Sequence, residues 1–265
     1  MEYIYKALEK AHREGKTENV WDIKPINFIH FDDSGYTFSE KLRKNFYLLA
    51  NRIIQEKVKN GIQSIAFTSS ISGEGCSTII YHLSQFLSNQ FLYSGTRTKT
   101  SKMRQSGQRN SKSVLLIDAN FHHPVLHSLF NVKLEGGLVD LLTRSKFNKK
   151  CVKETCNEQI DLVTTGIDEP RLHNFMDFGR LKLMYNKLKE NYDHILIDCM
   201  SVRENADSLP ICKYSDGVLL IVRSGHVKFE YINEAKKSIL DANGKILGVI
   251  LNDRKFELPD KLKRI

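Results

Sequence analysis

The 265-residue chain lacks any C-x-x-C pair. Its five cysteines, Cys76, Cys151, Cys156, Cys199 and Cys212, are scattered, which argues against a zinc or dithiol centre and for reduced thiols in a cytosolic protein. It has no apolar run near the roughly 18 residues that a membrane helix needs. The longest, Gly217 to Val222, is of strand length. No apolar stretch follows the first charges of Met1 to Lys10, so a signal peptide is not expected. The segment from Tyr93 to Ser113 contains no acid, yet holds Arg97, Lys99, Lys102, Arg104, Arg109 and Lys112. This segment carries much of the net charge of +9. It also lacks the interleaved aromatics of a single-strand nucleic-acid binder and is rich in Ser, Thr, Gly and Gln. A solvated, flexible insertion at 93–113 is expected, and nucleic acid is not an expected partner.

What is present is an alternation of apolar strands and amphipathic helices. Ile4, Ala7, Leu8 and Ala11 have helical spacing, and 15–38 reads as an irregular linker holding the only tryptophan, Trp21. Residues 1–38 are therefore expected to form an N-terminal arm, and 39–265 one domain. Ser39 is the expected N-cap of a helix striped by Leu42, Phe46, Leu49 and Ile53. Strands are expected at 64–68, 113–117, 160–164, 194–197, 217–222 and 246–251. Helices are expected near 77–89, 125–129, 137–142, 178–191 and 229–242. This order implies βαβ units, and so an α/β fold with a mostly parallel sheet and helices on both faces.

Ligands of such sheets bind beyond the carboxyl ends of the strands. Three segments lie there. Thr68 to Thr78 follows a strand and opens a helix, as a phosphate loop does. Gly73, Glu74, Gly75, Cys76, Ser77 and Thr78 are its candidate phosphate-binding residues. The two glycines let the backbone curl, and the amides near Gly75 to Thr78 face the ligand from a helix N-terminus. Ser77 is placed to ligate Mg²⁺. Asp118 and Asp198 each end an apolar strand, where acids can hold the metal and its waters. They are the candidate catalytic pair, with Ser77 the third metal ligand.

These motifs resemble the bacterial tyrosine kinases (BY-kinases) of capsule and exopolysaccharide synthesis, within the MinD/ParA-like P-loop ATPases. The family loop Thr-Ser-x-x-Pro-Gly-Glu-Gly-Lys-Ser-Thr is matched by Thr68 to Thr78, except at Ser72 and Cys76. Leu115 to Pro124 resembles Leu-Leu-Ile-Asp-x-Asp-x-Arg-x-Pro, with Asn120 for the second Asp and His122 for Arg. Gly137 to Leu142 and Tyr192 to Met200 continue the likeness, as do Asp207, Asp216 to Arg223 and Leu247 to Asn252. The resemblance implies a P-loop NTPase-like fold, ATP or ADP with Mg²⁺ as cofactors, and Asn252 near the nucleotide. It implies recruitment from the cytoplasm to the membrane by a polysaccharide co-polymerase or chain-length regulator, and a capacity for homo-oligomers.

The departures imply weakened chemistry. A charge-assisted contact such as the missing lysine would make is worth on the order of 1.5–3 kcal/mol in the ground state, and more as charge develops in the transition state. Cys76 cannot supply it. A thiol at a helix N-terminus can be redox-sensitive, but simple drift in a dead site is the preferred reading of Cys76. Asn120 is a poorer Mg²⁺ ligand than Asp, and His122 does not supply the permanent charge and forked donors of Arg. No tyrosine follows Tyr231, where the family clusters its autophosphorylation sites. Of the oligomerisation motif Glu-x-x-Arg-x-x-Arg, Glu40 and Arg43 fit, but Phe46 stands for the second Arg. The reading that follows is an inactive or impaired nucleotide-binding regulator of exopolysaccharide synthesis. An active ATPase or tyrosine autokinase and a MinD/ParA-like partitioning ATPase stay open beside it.

Overall fold

The structure, a computed structural model, describes residues 21–26, 40–93, 112–143, 149–167 and 177–253. The expected helix at 4–14, the N-cap at Ser39 and nearly all of the basic insertion lie outside the described residues.

Among the described residues, eight strands form one sheet in the order β1-β8-β7-β2-β6-β3-β5-β4. They are β1 (Trp21–Ile26), β2 (Ser64–Ser69), β3 (Lys112–Ala119), β4 (Lys153–Glu154), β5 (Ile160–Val163), β6 (Tyr192–Cys199), β7 (Gly217–Arg223) and β8 (Ile246–Asn252). All neighbours run parallel except β4 against β5. The six strands expected from apolar runs are present within a residue or two of their expected ends. The expectation of an irregular linker at 15–38 is corrected by β1, which pairs with β8 from Trp21 to Ile26. Pro25 fits there because an edge strand leaves one side of its backbone unpaired.

The helices are α1 (Glu40–Asn60), α2 (Cys76–Tyr93), α3 (Leu126–Leu129), α4 (Leu138–Thr143), α5 (Arg180–Lys189), α6 (Ser208–Tyr214) and α7 (Phe229–Asp241). They cover the sheet on both sides, so the strands are apolar at nearly every position. Successive residues of a strand face opposite ways. Ile65, Phe67, Val114, Leu116, Leu196 and Ile221 join the core beneath α1 and α2. Ala66, Leu115, Ile117, Ile195, Ile197 and Leu220 join the opposite core, with α4 to α7. Phe46 explains one departure from the family pattern. It is fully buried on α1 and stacks on Phe86 at 5.4 Å, so the position of the second arginine is turned into the core here.

Gly137 owes its place to a close backbone approach. A Cβ there would stand 2.2 Å from the Thr164 carbonyl oxygen. The amides of Leu138 and Val139 donate to the carbonyls of Thr164 and Thr165, and the Gly137 amide donates to Asp140 Oδ2. The Gly-Leu-x-x-x-Leu element thus docks α4 on the chain leaving β5. Asp216 is structural as well. It accepts from the amides of Gln63 and Ser64 and pairs with Lys189 at 2.5 Å, tying the start of β2 to the end of α5.

Candidate phosphate-loop site

The loop between β2 and α2 turns through two glycines in the left-handed region, Gly73 at φ +80° and Gly75 at φ +94°. Glu74, between them, is buried. One carboxylate oxygen accepts from the Ser70 amide at 2.8 Å, the Ser70 hydroxyl at 2.7 Å and the Ile71 amide at 3.1 Å. The other accepts from the Arg223 amide at 2.8 Å. Asn252, at the end of β8, donates to the Glu74 carbonyl at 2.8 Å. A Cβ on Gly75 would lie 2.4 Å from Asn252 Nδ2. The side chains of Glu74 and Asn252, candidates for ligand contact, therefore brace the loop. Asn252 still keeps a buried Oδ1 with no partner, an acceptor free for a ligand donor.

The two strand-end acids come together. Asp118 and Asp198 are registered partners on adjacent strands, and both are fully buried. Each stands two residues beyond a leucine that packs beneath α2, Leu116 and Leu196, so alternation aims both carboxylates at the α2 side. Asp118 accepts from the amides of Asn120 at 3.1 Å and Leu126 at 3.2 Å. Burial raises its pKa from 3.8 to about 7, against the pull of those amides. Asp198 has no hydrogen-bond partner on either oxygen. Burial first, and then the charge of Asp118, push its pKa well up, while the nearby Ser77 hydroxyl pulls the other way.

Two adjacent buried carboxylates, one unpartnered, are the donor set of a hard cation. Ser77, Asp118 and Asp198 fit Mg²⁺, which needs few protein ligands because phosphate and water complete its shell.

The loop, the start of α2 and the segment after β6 enclose a cavity of about 580 Å³. Ser72 to Thr78, Asn120, His122 and Glu204 are among its lining residues. The lining includes no lysine or arginine among the described residues. Cys76 is nearly buried. Burial, then the charges of Asp198 and Glu74, raise its thiol pKa well above the usual value. This opposes the redox-sensitive thiolate that a helix N-terminus alone would favour. Asn120 caps its own turn, its Oδ1 accepting from the His123 amide. The Nε2 of His122 meets the Asn205 amide nitrogen at 2.5 Å.

Sequence reasoning missed Glu204. Its carboxylate accepts from the Ser72 amide at 2.9 Å, the Ser72 hydroxyl at 2.5 Å and the Ser201 hydroxyl at 2.5 Å. These bonds hold its pKa below the ordinary value. No local pattern announces a contact between residues 132 apart in the chain. The one available signal was Ser72 itself, which has an amide to donate where the family loop has proline.

No family model matches the chain. Tyrosine-protein kinase YwqD of Bacillus subtilis is 25% identical over 199 residues, spanning 75% of this chain and 76% of that protein. The putative tyrosine-protein kinase CapB of Staphylococcus aureus is 24% identical over 230 residues, spanning 87% and 90%. The chain is similar to bacterial tyrosine kinases. Among solved structures, the chimerical protein CapA2B2 superposes with a TM-score of 0.69 at 22% identity, over 94% of this chain and 99% of that one. The cell-division ATPase MinD of Pyrococcus furiosus superposes at 0.56 and 19% identity, over 75% and 76%. The fold is therefore that of P-loop NTPases, shared by BY-kinase domains and MinD-like ATPases.

Proposed function

We propose that this chain is a nucleotide-binding regulator of exopolysaccharide or capsule biosynthesis in which phosphoryl transfer is lost or feeble. The observation that carries this reading is the cavity itself. A glycine-turned loop and Ser77 line it, the buried Asp118–Asp198 pair lies close in the chain to its lining residues Asn120 and Cys199, Cys76 occupies the lysine position, and no lysine or arginine of the described residues lines it. Mg-ADP or Mg-ATP is the ligand class. The amides opening α2 would receive phosphate, and Ser77, Asp118 and Asp198 would hold the metal, which on binding would neutralise phosphate charge. Without the lysine, the charge that develops on the transferring group has no fixed cation opposite it.

Residues 39–265 would act as one domain, with 1–38 as an arm closed onto it through β1. No described helix is long and apolar enough to cross a membrane. Membrane recruitment would therefore come from a polysaccharide co-polymerase or chain-length regulator, with homo-oligomers as a further assembly. Ser77, Asp118 and Asp198, all retained, favour a second reading in which a slow ATPase or autokinase survives. The test is phosphotyrosine blotting of purified protein incubated with Mg-ATP. No signal is expected, whereas a strong signal abolished by Asp198→Ala would establish the second reading. Fractionating cells with and without the neighbouring membrane protein tests recruitment, and membrane association that survives its deletion would oppose it.

A further inference from the structure

Glu204 has no part in bracing the loop's buried side, nor in the metal set. It sits at the outer end of the cavity, on the segment between β6 and α6, and reaches across to the tip of the phosphate loop. Ser72 offers two donors there, an amide and a hydroxyl, and the Glu204 carboxylate accepts both, at 2.9 and 2.5 Å. The Ser201 hydroxyl supplies a third donor.

The carrier segment is anchored from behind. Arg203 donates to Glu234 on α7 at 2.8 Å and lies 3.7 Å over the Tyr231 ring. Its guanidinium is thus held against α7, from where its charge still reaches the neighbouring Glu204. Glu204 is fixed as an anion at the loop tip, with no lysine or arginine of the described residues lining the cavity around it.

In a phosphate loop the amides at the helix start take the inner phosphates, and the lysine reaches the outer ones. The tip, several residues before the helix, faces the outermost phosphate. Here that end has lost its cation at Cys76 and has gained a carboxylate on the donors of Ser72. We propose that Glu204 sets the ligand class of this cavity, occupying the place of a terminal phosphate so that the site takes a nucleoside diphosphate in preference to a triphosphate. The inference rests on the nucleotide-binding reading above and deepens it. The inner half of the site keeps what a diphosphate needs: the amides of Gly75 to Thr78, Ser77 and the two acids. A third phosphate would meet a like charge and find its donors already taken.

The test is calorimetric titration of Mg-ADP and Mg-ATP into the full chain, as wild type, Glu204→Gln and Glu204→Ala. Glutamine removes the charge, and alanine also frees Ser72. Wild type is expected to bind ADP about tenfold or more tightly than ATP, the scale of one close like-charge contact in a partly solvated site. At least one variant should reduce that ratio about fivefold or more by tightening ATP, leaving ADP within about twofold. Equal affinities in the wild type, or a ratio that neither variant moves, would overturn the inference and leave nucleotide binding standing. Binding of neither nucleotide to any of the three proteins would overturn both.

Discussion

Replacing Asp198 with asparagine should stabilise the ligand-free protein above neutral pH, although it alters a side chain at the centre of the site. Asp198 is fully buried with no partner on either oxygen, and its registered neighbour across the strands is Asp118. Burial raises the pKa of Asp118 from 3.8 to about 7, and raises that of Asp198 well above the ordinary value. For an acid whose folded pKa is raised, the folded state binds the proton more tightly than the unfolded chain. The stabilisation is complete below the unfolded value and is lost as pH climbs through the folded one. For Asp118, a rise of about 3 in pKa at 1.36 kcal/mol each is a loss of roughly 4 kcal/mol between about pH 4 and pH 7. The neutral amide would remove the charge beside Asp118 and the cost of burying a second carboxylate, so the gain at pH 8 should be on the order of 2–4 kcal/mol. In a domain of this size that is a rise in Tm of roughly 5–15 °C. The assay is urea or thermal unfolding of wild type and Asp198→Asn at pH 5 and pH 8. The gain should be much larger at pH 8, and added Mg²⁺ should stabilise the wild type while leaving the variant unmoved. A variant less stable than wild type at pH 8, or a difference independent of pH, would refute the reasoning.

Three further outcomes follow from the same geometry. Cys76→Lys should tighten Mg-nucleotide binding by titration while phosphate release stays near background, because Asn120 and His122 still lack groups that help position the chemistry; adding Asn120→Asp and His122→Arg should raise turnover by more than the separate effects combined. Gly75→Ala should weaken nucleotide binding at least tenfold in the same titration, since φ +94° disfavours any side chain and its Cβ would strike Asn252. Gly137→Ala should cost roughly 2–4 kcal/mol in denaturant melts, because the new methyl would overlap backbone at Thr164 and Thr165 that cannot move without breaking two docking hydrogen bonds.

The sheet was legible where both of its faces are buried, because runs such as Val114 to Ile117 and Val218 to Val222 are apolar without interruption. The convergence of Thr68 to Thr78, Asp118 and Asp198 was legible too, since strand ends in a parallel sheet share an edge. The misses have separate causes. The strand β1 carries Pro25 and pairs along the sheet edge, so its sequence shows neither a buried run nor a turn. The two-residue β4 is too short to have a period, and α6 spans two turns interrupted by Pro210. The bracing role of Glu74, the shielding of Cys76 and the reach of Glu204 to Ser72 arise from contacts between segments far apart in the chain. Only the fold could show them.

The central claim, a site that keeps its cradle and metal acids but has lost efficient phosphoryl transfer, is tested most directly by single-turnover release of the terminal phosphate. Mg-ATP is mixed with excess wild-type protein and with Asp198→Ala, and free phosphate is followed in time. The account predicts that both proteins release phosphate at the rate of Mg-ATP alone, within about twofold. Release well above that rate in the wild type, abolished by Asp198→Ala, would contradict it and show that this cavity is still an active enzyme.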